Sequence, residues 1–185
     1  MQIRTFIALE LPNSIKQELQ GIYSRFSLLT PPGVNWVKPE NMHLTLLFIG
    51  DVEQNRICEI DSTMQRLLLG FPAFNFTALG LELFPAVNPR IIWLKLGCEN
   101  EDIFKLHRRL LRELDSLGIN ADRKAMRLHI TLARLKTALS PELEREILQF
   151  KVQNDTLSYG SISLFRSVLA ATGPSYTVLE KYNLQ

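Results

Sequence analysis

The chain has 185 residues, 46% apolar and 22% charged, with a formal net charge of +2. That is an ordinary globular balance, long enough for one domain or two small lobes that bury roughly 70% of the unfolded surface. It excludes a strongly basic duplex-binding protein without opposing a polyanionic substrate. No apolar run approaches the length of a membrane span. The opening "MQIRTFIALELP" breaks at Pro12 and lacks the basic segment and long apolar core of a signal peptide. Cys58 and Cys98 stand without a CxxC partner, which fits a reducing compartment. The expectation is a cytoplasmic protein with no membrane partner.

In chain order, Thr5 to Leu11 is apolar and β-branched and reads as a buried strand. After Pro12, Ile15, Leu19, Ile22 and Phe26 recur at helical spacing, with Ser14 and Gln17 placed to form a capping box. "TPPG" breaks the chain, and "VNWVKPENMHLTLLFIG" follows with one or two strands. A helix is predicted from about Glu53 to Leu69, stopped by Gly70, and then a strand over "FNFTALGLELF".

The order then restarts. "RIIWLKLG" from Arg90 to Gly97 is a strand, and "NEDIFKLHRRLLRELDSLG" is a helix with Asn100 as cap and Gly118 past its end. "MRLHITLARL" is a strand, and "SPELEREILQF" opens a helix with Ser140 as cap and Pro141 in the first position. "GSISLFRSVLA" and "SYTVLEKYNL" close the chain as strands joined by a hairpin across "ATGPS". A shift of 86 lays Lys38 on Lys124, His43 on His129 and Thr45 on Thr131. Strand, helix and polar pair recur in one order, which predicts an internal duplication with approximate repeats 1–86 and 87–185. The expected fold class is α+β: a single bilobal domain over 1–185 whose two pseudo-symmetric lobes each carry a mainly antiparallel sheet with helices outside. The lobes are free to interleave.

The chain has three histidines, and two of them open a His-x-Thr-Leu tetrapeptide. Side chains of a strand alternate faces, so His43 and Thr45 share one face, as do His129 and Thr131, while the leucines turn to the core. Facing each other across a cleft, two imidazoles suit in-line displacement at phosphorus, one taking a proton from water and the other giving one to the leaving oxygen. The hydroxyls can hydrogen-bond phosphoryl oxygens as charge develops. A lone histidine on a strand is by default a surface or hydrogen-bonded residue; the matched pair favours catalysis. Neither strand offers a further ligand at metal spacing, so no metal site and no cofactor are expected. His107 lies on the apolar side of its helix and reads as a core residue.

At these residues the chain resembles the two-histidine (2H) phosphoesterase superfamily, with paired HxTx motifs in two pseudo-symmetric lobes, and more narrowly the RNA 2′,3′-cyclic phosphodiesterases, also called 2′-5′ RNA ligases. The likeness is carried by "RTFIALELP", "WVKPENMHLTLLFIGDV", "PRIIWLKL" and "LHITLARLK" and spans nearly the whole chain. It implies metal-independent hydrolysis of a 2′,3′-cyclic phosphate on RNA ends or nucleotides to a 2′-phosphate, and a reverse reaction joining RNA ends through a 2′-5′ bond. By the same resemblance His43 protonates the departing 3′ oxygen, His129 activates water, Thr45 and Thr131 hold the phosphate, and Arg134 contacts it. Strand parity opposes the last assignment, because an odd offset puts Arg134 on the leucine face unless a bulge turns it back. Phe48 holds the equivalent place in the first half, where it either stacks on a base or joins the core. Lys38, Lys124 and Arg127 are candidates for a basic rim. The expected protein is a monomer acting on RNA ends. The competing readings are a 2H enzyme for another small cyclic phosphate and an RNA-end-binding module without turnover.

Overall fold

The computed structural model describes residues 1–153, 155–170 and 173–185. Its elements run β1 (Gln2–Glu10), α1 (Asn13–Phe26), β2 (Val34–Trp36), β3 (His43–Glu53), α2 (Ile57–Leu68), β4 (Phe74–Phe84), β5 (Ile91–Cys98), α3 (Asp102–Ser116), β6 (His129–Leu135), α4 (Pro141–Leu148), β7 (Thr156–Tyr159), β8 (Ser161–Ala170) and β9 (Gly173–Asn183). Short 3-10 turns precede β3 at Pro39–Asn41 and α2 at Gln54–Arg56.

Local chemistry accounts for the start of α4 and the end of α3. Ser140 accepts the Leu143 N–H at 3.2 Å and Pro141 opens α4, a cap that stabilises by about 1 kcal/mol. Gly118 follows α3 at φ +70°, and the next N–H, of Ile119, returns to the Leu114 carbonyl at 2.9 Å. Only glycine reaches that left-handed position without steric cost. Asn100 accepts the Asp102 N–H at 3.1 Å, although the helical cap position itself is Glu101.

Two expectations are corrected, and one strand was not foreseen. The N-cap of α1 is Pro12, without a side-chain cap bond, so the Ser14–Gln17 capping box does not open this helix. Strand β3 extends to Glu53 and delays α2 to Ile57, because the polar "EQNR" is taken up by the strand end and a 3-10 turn. Strand β7, four residues between a short helix and a glycine, has no periodic signal long enough to find. The strands flanking "ATGPS" pair from Ala170 and Gly173 onward, while Ala171 and Thr172 of that turn lie outside the described residues.

The strands form one antiparallel sheet in the order β7-β4-β5-β6-β3-β1-β8-β9, with β2 on β6. The spatial halves do not coincide with the halves of the sequence. Strand β4 joins β5 and β6, and the late strands β8 and β9 join β1 and β3. Among the described residues the halves meet through the pairing of Leu44 with Ile130. The rest of that edge of β6 belongs to β2, whose Trp36 lies opposite Ala133.

All four helices pack into one core shared by both halves of the sheet, through Ile15 and Leu19, Ile60 and Met64, Leu106 and Leu110, and Leu143 and Ile147. Side chains of β1 alternate cleanly: Ile7 and Leu9 enter this core, whereas Phe6 and Ala8 join Phe165 in a small separate cluster on the other face. The residues of that second cluster, with Tyr176 packed against it, all come from strands. The histidines share its face. Among the described residues no helix is long and apolar enough to cross a membrane.

Candidate active site

His43 is the first residue of β3 and His129 the first of β6. Leu44 and Ile130 are fully buried, as are Leu46 and Leu132 to within 2%. Strand alternation therefore leaves His43, Thr45, His129 and Thr131 half-buried on the opposite face. Because Leu44 pairs antiparallel with Ile130, a local two-fold relation runs through that pair. It sets His43 toward Thr131 and His129 toward Thr45, each histidine beside the other motif's hydroxyl.

Both imidazoles are mounted in one way. Nδ1 of His43 lies 2.8 Å from the Asn41 carbonyl, and Nδ1 of His129 lies 2.9 Å from the Arg127 carbonyl. A carbonyl only accepts, so Nδ1 carries the hydrogen in each ring. Nε2 is left as the basic nitrogen of the neutral form and the donor of the charged one. Burial pushes His43 below its ordinary value, opposed by the bond to Asn41 and aided by the positive charges of His129 and Arg134. His129 is lowered chiefly by burial too, opposed by its bond to Arg127 and aided by the charges of Arg127 and Arg134. Each ring is thus favoured as a neutral base in the free enzyme, and Arg134 is within electrostatic reach of both.

The objection from strand parity is answered by the register. Ala8 pairs with Thr45 but Ile7 with Leu47, so β3 carries an extra residue at Leu46. Trp93 pairs with Thr131 but Ile92 with Ala133, so β6 carries one at Leu132. Each bulge turns the residues after it by one position. Leu46 and Leu47 are consecutively buried, as are Leu132 and Ala133, and then Phe48 and Arg134 emerge exposed on the histidine face. Phe48 is 46% exposed and lies 5.9 Å from the ring of Phe6, itself 4.9 Å from His43. The alternative that placed Phe48 in the core is set aside by its exposure.

Sequence reasoning missed the aromatic mounts. Tyr176 of β9 meets His43 edge-on at 5.3 Å, and Phe6 and Phe165 stack at 5.0 Å beneath it. Trp93 of β5 lies 4.6 Å from His129, Phe84 stacks on Trp93 at 4.3 Å, and Arg127 caps Phe84 at 4.7 Å. Tyr176 is 133 positions from His43 in sequence, and no local pattern announces that contact. An aromatic between serine and threonine on a strand was the one available signal.

The basic rim is less uniform than expected. Lys124 pairs with Asp122 at 3.1 Å and Arg127 is engaged by Phe84, while Lys38 is exposed ahead of the turn leading to His43. His107 is 7% exposed on α3, in the core as expected. Among the described residues no three His, Cys, Asp or Glu converge as a metal-ligand group.

A crystal structure of a Thermus thermophilus protein matches with a TM-score of 0.81 and 27% identity over 98% of both chains. That of E. coli LigT complexed with 3′-AMP matches with a TM-score of 0.75 and 24% identity, over 100% of this chain and 99% of that one. An RNA 2′,3′-cyclic phosphodiesterase of Thermotoga maritima is 35% identical over 96% of this chain and 93% of its own. One of Methanothermobacter thermautotrophicus is 30% identical over the full length of both. Relatives at 30% identity or more over nearly the whole chain make it an enzyme of the two-histidine phosphoesterase superfamily. Within it, the sequence profile of the LigT like phosphoesterases matches residues 9–93 and 96–176, and the chain belongs to that family.

Proposed function

We propose that this enzyme opens 2′,3′-cyclic phosphate at RNA ends to a 2′-phosphate, using its own side chains without a metal. What carries the reading is the shared mount: two imidazoles with Nδ1–H tied to backbone and Nε2 left for chemistry, on one face with one arginine in reach of both. The names of the relatives point to the same substrate.

In the proposed step, Nε2 of neutral His129 takes a proton from water as the water oxygen bonds to phosphorus. The P–O3′ bond breaks in line, and Nε2–H of protonated His43 gives its proton to O3′. Phosphorus stays on O2′. Thr45, Thr131 and Arg134 donate to the non-bridging oxygens, where charge builds up, and Phe48 offers a ring to the base of an adjoining nucleotide. With a ribose 5′-hydroxyl in place of water, the same transfers form a 2′-5′ phosphodiester. Both histidines come from one chain, so a monomer suffices, and the free thiols of Cys58 and Cys98 fit the reducing cytoplasm. We read the division of the family match into two stretches of comparable length, 9–93 and 96–176, as the trace of a duplicated ancestry.

The test is incubation with a short RNA bearing a 2′,3′-cyclic end in EDTA, followed by mass analysis and phosphatase treatment. A 2′-phosphate product that His43→Ala and His129→Ala each abolish supports the reading. Binding of the RNA without turnover moves the assignment to an end-binding module. Turnover of other cyclic phosphates alone moves it to a different 2H substrate.

A further inference from the structure

Beside His43 lies a groove of about 690 Å³ along the first turns of α1 and the start of β9, within the range of ~300–1,000 Å³ common for small-molecule sites. It reaches His43, but its lining includes neither His129 nor Arg134. Its floor is apolar, with Phe165 and a Val178 left 42% exposed. The ring of Tyr176 stands at its inner end, against His43.

Charge decides what such a groove accepts. Among the described residues, Glu10 and Glu40 line it with a single cation, Lys16, and Glu10 is already held by Ser163 at 2.8 Å and Lys181 at 3.1 Å. With two carboxylates and no arginine among those lining residues, the groove disfavours a second phosphate. It suits an uncharged, flat ligand with polar edges: aromatic and aliphatic surface below, and the amides of Gln17 and Asn41 at the wall.

We infer that this groove holds the nucleoside whose cyclic phosphate is opened, with the ribose at His43 and the base over Val178 and Tyr176. The inference rests on the phosphodiesterase reading above. It also agrees with the division of labour proposed there. O2′ and O3′ belong to one ribose, and in-line attack brings water from the side opposite the departing O3′. A nucleoside on the His43 side therefore presents O3′ to His43 and leaves the His129 side to water.

The experiment compares adenosine 2′,3′-cyclic phosphate with a base-free methyl riboside 2′,3′-cyclic phosphate, on the wild-type enzyme and on Val178→Trp and Gln17→Ala. The wild type is expected to prefer the nucleoside by about 10-fold or more in kcat/KM, the scale of one stacked base at ~1–3 kcal/mol. Val178→Trp, which fills the groove, is expected to raise KM for the nucleoside about 10-fold and leave the base-free substrate unchanged, which also reports an intact fold. Gln17→Ala is expected to shift the same ratio in the same direction by a smaller factor. Equal efficiency of the wild type on both substrates, or equal losses on both in Val178→Trp, overturns the subsite alone. Failure of the wild type on every ribose cyclic phosphate, RNA ends included, overturns the phosphodiesterase reading and the subsite with it.

Discussion

Asn41 holds His43 through its carbonyl, which accepts the ring Nδ1–H at 2.8 Å, and ties itself to β9 through its side chain, which donates to the Pro174 carbonyl at 3.0 Å. Arg127 serves His129 in the same way by its carbonyl, but anchors its own side chain on the ring of Phe84. The two histidines share a tautomer while their mounts are fixed by unrelated contacts. Asn41→Ala keeps the carbonyl and removes the tether. It is expected to lower kcat about 10-fold, equivalent to ~1.4 kcal/mol, and to raise the fraction of the other His43 tautomer seen by 15N NMR. An unchanged tautomer ratio and rate would show that the tether does not orient the ring.

The rate should depend on pH as a bell with both limbs displaced to the acid side. Burial lowers both imidazoles below 6.5 in the free enzyme. The base must be neutral and the acid protonated, so kcat/KM rises through one lowered value and falls through the other. Bound phosphate, being anionic, favours protonated His43 and should carry the alkaline limb of kcat to higher pH than that of kcat/KM. A profile of kcat/KM still flat beyond about pH 8 goes against two titrating imidazoles.

Folding stability should fall on mild acidification. The native state holds His43, His107 and His129 below their ordinary 6.5, in each case mainly through burial. Near that pH the unfolded chain binds more protons than the native one, so stability is full above 6.5 and is lost as pH falls toward the native values. Urea unfolding at about pH 7.5 and about pH 5.5 measures the loss. His107→Gln, away from the site, should reduce the difference between the two. Equal midpoints in the wild type would contradict the proposed burial.

Arg134→Ala should cost about 100-fold or more in kcat/KM, the size of losing one charged donor to a developing oxyanion. Arg134→Lys should recover only part, since an ammonium lacks the planar fork that engages two phosphoryl oxygens. Phe48→Ala should act mainly on KM. Full activity in Arg134→Ala would show that the bulge at Leu132 has no bearing on the chemistry.

Ile130→Ala should destabilise by about 2–5 kcal/mol as a buried large-to-small change. Its residue is fully buried at the pair joining the two halves of the sheet. Denaturant unfolding reads the loss, and a cost below about 1 kcal/mol would mean that the junction repacks freely.

Most of the secondary structure, and the faces of the two histidine strands, are legible in the chain, because alternation at period two and helical spacing are local properties. Alternation alone assigns His43, Thr45, His129 and Thr131 to one face, and local chemistry puts Ser140 and Gly118 at the helix ends they occupy. The position of Phe48 and Arg134 is not open to that reasoning. Parity sends them to the core side, and only the pairing of β3 with β1 and of β6 with β5 supplies the extra residue that turns them back. Tyr176 against His43, the tether from Asn41 to Pro174, and the exchange of β4 with β8 and β9 between the halves are likewise products of tertiary structure. The physical reason is one of range. A side chain's face follows from its neighbours along a strand, but register and strand order are settled by which edges compete for partners, and those partners lie as far apart in sequence as Arg4 and Ser167.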